Sequence, residues 1–320
     1  MGLEAGRIAW VVCGEHPETI ASYRYTAMIP AAALGGHVVR VEPGMDPEQL
    51  LDQWSPSALV LGKAFHEGFV ALAQAAKSKG IPVIAAMCDW HFDNPINQAL
   101  SRTADRIVVQ TIAMAAGVRE HFGVEPAIIE EPYEGRRGVA RFSPGRPIRL
   151  LWYGHSVNLD TLAAGLAQVG ALAEAELVIH VVTNRLDRVP PALAGLSRPA
   201  ATMRLELRNW SLDIQWRELA ACDAVLLPSH PAKDKLVKGH NRLVQAIHAG
   251  RLALAYPLPQ YRELAAYCWC GEDLGAGLRW ASANPAEVLA RITEGQRYID
   301  ERFAPARIAD RWRQVIEDLT

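Results

Sequence analysis

Short runs of apolar, mostly β-branched residues alternate with longer helical segments, and this alternation constrains the fold more than any other feature of the chain. Predicted helices end at Gly35, Gly80 and Gly250, and a predicted strand follows each of them within a few residues. Such short connections from helix to strand are typical of parallel sheets. The sequence therefore predicts an α/β protein whose parallel sheets are covered by helices on both faces.

Two sets of elements are predicted, separated by a stretch of different composition. The first set has strands at Arg7–Cys13, Val38–Val41, Ala58–Leu61, Pro82–Met87 and Asp105–Val109. The second has strands at Ile148–Tyr153, Leu177–Val182, Met203–Leu207, Ala224–Leu227 and Leu252–Tyr256. The segment Glu134–Pro147 between them is rich in Gly, Pro and Arg, which indicates a linker. We predict two Rossmann-like domains, 1–138 and 139–320, with closing helices over 285–320.

Composition excludes several classes of protein. Half of the 320 residues are apolar and the net charge is -2, so we expect two full cores and no nucleic-acid partner. The sequence has no run of 18 apolar residues, so no transmembrane segment is expected. Five scattered cysteines, with Cys268 and Cys270 as an isolated Cys-x-Cys pair, indicate reduced thiols rather than a metal site. These features predict a soluble, cytoplasmic protein without a bound cofactor or metal.

A cationic loop follows the predicted strand Ala224–Leu227 and leads into a helix that ends at Gly250. Side chains at the carboxyl end of a parallel strand lie along the edge where α/β sheets bind ligands, and cations there favour phosphate. A solvated charged face is the alternative. The phosphate-binding residues predicted in this loop are Lys235, Lys238, Asn241 and Arg242.

The turn after Ile148–Tyr153 is a second candidate for phosphate binding. Gly154 lets the backbone approach a ligand closely, and His155 and Ser156 follow it at the start of a predicted helix. The alternative is an ordinary turn in which Asn158 or Asp160 caps that helix. A G-x-G-x-x-G fingerprint is missing from the sequence, which disfavours NAD.

The second half resembles the C-terminal domain of GT-B glycosyltransferases, most closely the retaining family 4 group. The resemblance rests on Asn209-Trp210, WRELAACDAVLLPS, NRLVQAIHAGRLALAYPLPQYREL and the terminal YIDERFAPARIADRWRQVIEDL. It covers 201–320 well, 148–200 moderately, and the first half only in general layout. The pattern departs from the family at its glutamate pair, since Gln245 aligns with the second glutamate and a residue near Val237 with the first.

The resemblance implies two Rossmann-like domains facing across a cleft, with the last helix packing back onto the first domain. The second domain would bind a nucleotide-diphosphate sugar without a catalytic metal, and the first would bind the acceptor. Residues expected near the nucleoside are Thr183, Asn184, Asn209, Trp210 and Gln245. The acceptor stays open among protein, glycan, lipid and small molecule, as do the sugar and the base of the donor.

Polar residues follow the predicted strand Pro82–Met87 in the first half, and His91, Asp89 and Asp93 are the catalytic candidates there. One of them would act as a base or contact the transferred sugar. Two alternatives are a loop in which Asp93 caps the next helix and an Asp-x-His-x-Asp metal site. Residues predicted on the acceptor side are Gly14, His16 and Arg24.

The function that the resemblance implies is that of a retaining, metal-independent glycosyltransferase. Two alternatives belong to other classes. The missing glutamate pair is compatible with a non-catalytic protein that binds nucleotide or glycan, and some nucleotide-sugar epimerases share the two-domain layout. A transferase needs an acceptor, whereas an epimerase acts on the donor alone.

Overall fold

The computed structural model describes residues 7–172, 175–195 and 202–320. The chain divides into two compact units, each built on one six-stranded parallel sheet. The first unit comprises Met1–Glu134, Val237–Gly239 and Arg302–Thr320, and the second comprises Gly135–Leu236 and His240–Glu301. The boundaries of these units differ from those of the predicted domains, 1–138 and 139–320. The reason is that the segments Val237–Gly239 and Arg302–Thr320 pack with the first sheet.

The first sheet contains six strands in the order β2-β1-β3-β4-β5-β6. They are β1 (Ile8–Val12), β2 (His37–Arg40), β3 (Ala58–Leu61), β4 (Val83–Ala86), β5 (Arg106–Val109) and β6 (Ala127–Ile128). All five predicted strands are present, whereas the two-residue β6 is too short to give a sequence pattern. The strand order reverses between β1 and β3, which is where doubly wound sheets form their ligand crevice.

The second sheet has the order β12-β11-β10-β7-β8-β9. Its strands are β7 (Ile148–Tyr153), β8 (Glu176–Thr183), β9 (Thr202–Asn209), β10 (Ala224–Leu227), β11 (Leu252–Ala255) and β12 (Trp269–Cys270). Counted from its own first strand, this is the 3-2-1-4-5-6 order of dinucleotide-binding Rossmann sheets. The order reverses between β7 and β10, so a ligand is expected beyond the carboxyl ends of these two strands.

Helices cover both sheets. The α-helices of the first unit are Ala21–Tyr23, Ile29–Leu34, Pro47–Trp54, Gly68–Ser78, Pro95–Thr103, Ile112–Phe122 and Pro305–Glu317, with a π-helical stretch at Arg24–Met28. Those of the second are Leu159–Gly170, Val189–Leu193, Leu212–Ala221, Lys233–Leu236, Asn241–His248, Pro259–Arg262, Leu274–Ala283 and Pro285–Arg302. Short 3-10 turns lie at Pro17–Thr19, Ser156–Asn158, Leu186–Arg188 and Ala265–Tyr267. None of the described helices combines the length and the apolar character needed to cross a bilayer.

The helix Pro305–Glu317 packs on the first sheet. Its residues Ile308, Trp312 and Ile316 are buried in the core of the first unit, and the Trp312 ring meets Trp10 of β1 edge-on at 5.0 Å between centroids. Aromatic pairs in this geometry add to the stability gained from their buried area. The last helix thus belongs to the first unit, as the resemblance implied, although it was predicted as a closing helix of the second domain.

The predicted linker has no helix or strand, yet its middle is held firmly against the second unit. The N–H of Gly138 donates to the His248 carbonyl at 3.0 Å, and Arg251 Nη1 donates to the Val139 carbonyl at 3.0 Å. Gln296 Nε2 donates to the Gly138 carbonyl at 2.8 Å. This part of the linker is therefore a structural element of the second unit rather than a free connection.

Candidate functional site

The turn after β7 lies at the point where the order of the second sheet reverses. A Cβ built on Gly154 would lie 3.1 Å from the ring of Trp152 and 3.6 Å from Arg242 Nη1. Trp152 is fully buried and cannot move aside easily. Glycine at this position therefore lets the backbone pass between the buried indole and the guanidinium.

Backbone N–H groups of this turn are largely used within the protein. Gly154 donates to the Val182 carbonyl at 3.1 Å, Ser156 to Asn184 Oδ1 at 2.9 Å, and Val157 to His155 Nδ1 at 3.3 Å. Asn184 Nδ2 also lies 3.0 Å from His155 Nε2, so Asn184 braces the turn. The turn offers fewer free N–H donors than the sequence suggested, and an anion here would depend on side chains.

Arg242 is the side chain best placed to bind an anion at this turn. Its Nη1 atom is buried and has no hydrogen-bond partner among the described residues. The Tyr153 hydroxyl donates to the Arg242 carbonyl at 3.2 Å and fixes the first turn of the helix Asn241–His248 beside β7. A buried cationic donor without a partner is unfavourable until an acceptor reaches it, so this atom marks a site for negative charge.

Lys235 reaches the same turn. Its Nζ atom lies 2.6 Å from Asn158 Oδ1, at the end of the 3-10 turn that follows Gly154, and its side chain is mostly buried. The structure therefore brings Lys235 and Arg242 to the Gly154 turn from two different helices. Asn241, beside Arg242, is half-buried at the start of its helix.

Lys238 belongs to a different unit from the other two cations. It belongs to the three-residue segment Val237–Gly239 of the first unit, and its ammonium group pairs with the Asp89 carboxylate. The Val237 side chain is buried in the first core, and the Thr111 hydroxyl donates to the Val237 carbonyl at 3.1 Å. Because burial of Val237 fixes the segment in the first unit, Lys238 is engaged with Asp89 there, and its contact with phosphate stays a prediction.

Asp89 follows β4 and forms ion pairs with both Lys63 and Lys238. Burial alone raises the pKa of its carboxyl, but the two ammonium groups outweigh burial and hold that pKa well below its usual range. Asp89 is thus ionised at neutral pH and is a poor proton acceptor. His91 and Asp93 are exposed nearby in the same loop, so His91 is the better candidate for contact with a substrate.

The alternative of a metal site at Asp-x-His-x-Asp gains no support from this arrangement. Within the described ranges, no group of three or more His, Cys, Asp or Glu side chains is placed to hold a metal ion.

The Cys88 thiol, next to Asp89 in the chain, is unsuited to nucleophilic chemistry at neutral pH, because burial raises the pKa of Cys88 to about 12.

Asp89→Asn is expected to lower the free energy of unfolding at pH 7 by about 1–2 kcal/mol, because Lys63 and the partly exposed Lys238 lose their counter-charge. The folded-state pKa of Asp89 lies below its ordinary value of 3.8, so the ion pairs stabilise the fold above that pH and fade as the pH falls below it. In urea unfolding, the difference in the free energy of unfolding between Asp89→Asn and wild type should therefore be smaller at pH 3 than at pH 7. The exposed Asp93→Asn is the control, and an equal effect of both variants at pH 7 would contradict the role of the pairs.

The predicted acceptor-side residues have different surroundings. Gly14 follows β1 with a φ of 91°, and its N–H donates to Glu42 Oε1 at 2.9 Å. His16 is exposed beside Glu18. Arg24 is buried and forms a bidentate pair with Glu134, with Nε and Nη2 at 3.0 and 2.9 Å from the carboxylate. That pair stabilises the first unit, so contact between Arg24 and an anionic acceptor is a prediction without geometric support.

The predicted nucleoside residues lie at the carboxyl ends of β8 and β9 or on the helix Asn241–His248. Thr183 and Gln245 are buried, whereas Asn209 is exposed. The Trp210 indole N–H donates to Gln215 Oε1 at 2.9 Å, which holds the half-buried ring against the helix Leu212–Ala221. Asn209 and Trp210 are therefore the members of this set whose side chains are best placed to meet a ligand.

Two residues at these edges were missed by sequence reasoning. Lys63 follows β3 directly and pairs with Asp89, so the rule that placed Asp89 at the edge would also have selected Lys63. Gln260 follows β11 and is 2% exposed. Its burial could not be predicted, because buried and exposed glutamines are identical in a sequence.

Comparisons with known proteins agree with this architecture. No protein-family model matches the chain, and no curated protein matches it in sequence. A glycosyltransferase from Rickettsia africae ESF-5 superposes with a TM-score of 0.72 at 9% identity, covering 98% of both chains. Anabaena HepE in complex with UDP and glucose superposes with a TM-score of 0.68 at 13% identity, covering 97% of this chain and 99% of HepE. MurG of Acinetobacter baumannii superposes with a TM-score of 0.53 at 13% identity, covering 98% of this chain and 99% of MurG.

The chain has the GT-B fold. The fold implied by the resemblance is thereby confirmed over nearly the whole chain, including the first half, which the resemblance covered only in general layout. Identities this low establish the fold alone, so membership of family 4 stays a prediction. Within a GT-B fold, the Gly154 turn with Arg242 and Lys235 lies in the second unit, and the Asp89 loop lies in the first.

Proposed function

We propose that this GT-B protein is a glycosyltransferase that moves a sugar from a nucleotide-diphosphate donor to an acceptor. The observation that carries the proposal is Arg242 Nη1, a buried donor without a partner among the described residues, beside Gly154. It lies where the second sheet reverses its order, the usual ligand position in such sheets. Support also comes from HepE, a protein of the same fold that was solved with UDP and with UDP-glucose.

The proposed chemistry follows from where charge develops. As the bond between the sugar and the diphosphate breaks, negative charge grows on the departing phosphate oxygens. Arg242 and Lys235 would neutralise this charge from fixed positions, which is the most effective form of electrostatic catalysis. Each charge-assisted hydrogen bond contributes about 1.5–3 kcal/mol. We propose that these two cations stabilise the departing diphosphate in place of a metal ion. We also propose that transfer retains the anomeric configuration.

The acceptor would bind to the first unit, at the carboxyl edge of its sheet. We assign His91 there as the polar contact to the acceptor hydroxyl or the transferred sugar, since it is exposed at the end of the β4 loop. Asp89 is assigned a positioning role, because its charge is shared between Lys63 and Lys238.

The first experiment is a panel of nucleotides and nucleotide sugars measured by thermal unfolding in the presence of EDTA. A ligand at 100 times its Kd should stabilise the folded state by about 2.7 kcal/mol. We expect one of UDP, GDP or dTDP and its sugar derivative to raise the Tm, with nucleotide released only when an acceptor is added. Conversion of the donor alone would indicate an epimerase, and binding without turnover on any acceptor would indicate a non-catalytic protein. A Tm that no member of the panel raises would overturn the proposal.

A further inference from the structure

Two cysteines lie on one face of the outermost strand of the second sheet. β12 is Trp269–Cys270, and Cys268 directly before it is also extended, with a φ of -145° and a ψ of -178°. Side chains alternate between the two sides of an extended segment, so Cys268 and Cys270 point to one side and Trp269 to the other. The thiols of Cys268 and Cys270 are hydrogen-bonded to each other. The Cys-x-Cys pair is therefore a pair of neighbouring sulfur atoms.

The two thiols have different surroundings. Cys268 is fully buried, and its Sγ lies 3.4 Å from the Leu264 carbonyl oxygen. Arg291 Nη1 donates to the Cys268 carbonyl at 3.2 Å, which fixes the backbone at this position. Cys270 is only half-buried, at the carboxyl end of β12, where a small solute can reach it. The pair thus combines one accessible thiol with one thiol held in the protein interior.

The accessible thiol is also the more acidic one. The hydrogen bond from Cys268 lowers the pKa of Cys270, and the positive charge of Arg262 lowers it further against the opposing effect of partial burial. The same hydrogen bond, together with burial, raises the pKa of Cys268. Burial likewise raises the pKa of the other three cysteines, Cys13, Cys88 and Cys222. All five cysteines lie in the described ranges, and the thiolate, which is the nucleophilic form, is favoured at Cys270.

We propose that Cys270 and Cys268 are an oxidation site for hydroperoxides, at which Cys270 reacts first and Cys268 then closes a disulfide. This inference goes beyond the proposed function and does not depend on it. An accessible thiolate with a second thiol beside it is the arrangement that senses peroxide. Cα atoms two residues apart in an extended strand are about 6.4–6.8 Å apart. Disulfides span about 4.4–6.8 Å between Cα atoms, so the bond requires little movement of the backbone.

The oxidation takes place in two steps. The Cys270 thiolate attacks one oxygen of hydrogen peroxide, so the S–O bond forms, the O–O bond breaks, and the departing hydroxide takes a proton from solvent to become water. Cys270 is then a sulfenic acid. The Cys268 sulfur attacks the Cys270 sulfur, the S–S bond forms, the S–O bond breaks, and hydroxide leaves as water with the proton of Cys268. In total, two thiols and one peroxide give one disulfide and two water molecules.

The test treats the folded, reduced protein with hydrogen peroxide at pH 7, blocks the remaining thiols with N-ethylmaleimide and identifies tryptic peptides by mass spectrometry. Cleavage after Arg262 and Arg279 gives the peptide 263–279, whose two cysteines are Cys268 and Cys270. We expect this peptide to lose two hydrogen atoms and to carry no maleimide, and reduction with dithiothreitol to reverse the change. Maleimide on both cysteines, or a disulfide to any other cysteine, would overturn the inference.

Two variants of Cys268 separate its two roles. Cys268→Ser keeps a hydrogen-bond donor but cannot form a disulfide, so Cys270 should accumulate as a sulfenic acid that dimedone labels. Cys268→Ala removes the donor as well, so the midpoint of the pH profile for alkylation of Cys270 should lie higher than in wild type. A midpoint that Cys268→Ala leaves unchanged, or dimedone labelling of Cys268→Ser at a cysteine other than Cys270, would contradict these roles.

Cys222→Ser is the matched control. Cys222 is buried in the same unit, and its Sγ donates to the Leu219 carbonyl at 3.4 Å, much as Cys268 contacts Leu264. Its replacement should leave the rate of disulfide formation in the peptide 263–279 unchanged. A loss of that disulfide in Cys222→Ser would show that the reaction depends on a thiol outside the pair and would overturn the inference. None of these measurements uses a nucleotide, so they leave the proposed function untouched.

Discussion

Replacing Arg242 with alanine is expected to weaken the binding of the nucleoside diphosphate about 10- to 150-fold, with little change in stability. The lost charge-assisted hydrogen bonds are worth about 1.5–3 kcal/mol, which gives this range of Kd. Stability should change little because Nη1 has no partner among the described residues in the unliganded protein. Calorimetric titration with the nucleotide selected by the panel measures the affinity, and urea unfolding measures the stability.

Two further variants define what the Arg242 result means. Arg242→Lys keeps the charge but loses the planar fork, so its affinity should lie between those of wild type and Arg242→Ala. Arg279→Ala removes an exposed arginine of the same unit, which is paired with Asp273 at 3.5 Å, and should leave nucleotide affinity unchanged. Equal affinities for Arg242→Ala and Arg279→Ala would show that the phosphate lies elsewhere.

Gly250→Ala is expected to destabilise the second unit by about 2–4 kcal/mol, a large effect for one added methyl group. The residue has a φ of 71°, which an alanine adopts only with strain. A Cβ built there would also lie 2.6 Å from the carbonyl carbon of Val139 and 2.7 Å from the backbone nitrogen of Ala140. Both are backbone atoms of the linker, which is itself hydrogen-bonded to this helix end, so neither can rotate away.

Urea unfolding monitored by tryptophan fluorescence tests this prediction, and the transition to compare is that of the second unit. Gly138→Ala separates crowding from backbone strain, since its φ is not positive but its Cβ would lie 2.7 Å from the carbonyl carbon of Ala249. Gly145→Ala is the control within the same linker, because nothing lies within 4 Å of its Cβ position. If Gly250→Ala unfolds at the same urea concentration as Gly145→Ala, the linker backbone shifts to accommodate the added methyl group and the prediction is wrong.

The positions of the main strands could be predicted closely from the sequence. Strands β7 and β10 were predicted to the residue as Ile148–Tyr153 and Ala224–Leu227, because each is a short apolar run bounded by polar residues, glycine or proline. The two-residue strands β6 and β12 were missed, since two residues carry no periodicity. The helix predicted to end at Gly35 is present but contains the π-helical stretch Arg24–Met28, which apolar spacing does not reveal.

The candidate site could be predicted only in part. Parallel strands end at a common edge, and the structure places Arg242 beside Gly154 and Lys235 beside Asn158 at that edge. That these residues bind phosphate stays a prediction. Lys238 followed the same rule, yet its partner is Asp89, 149 positions away in the sequence. An ion pair over that separation depends on which chain segments pack together, and no local pattern encodes it.

The sequence by itself determined the fold class, most strands and the cationic loop, because apolar spacing and glycine stops act over a few residues. The tertiary structure decided that Val237–Gly239 and the last helix join the first unit and that the linker is fixed to the second. It also decided which polar groups are paired and which, like Arg242 Nη1 and the Gln260 amide, are buried without a partner among the described residues. Burial and pairing are properties of distant segments brought together, since water is excluded only when the whole core closes.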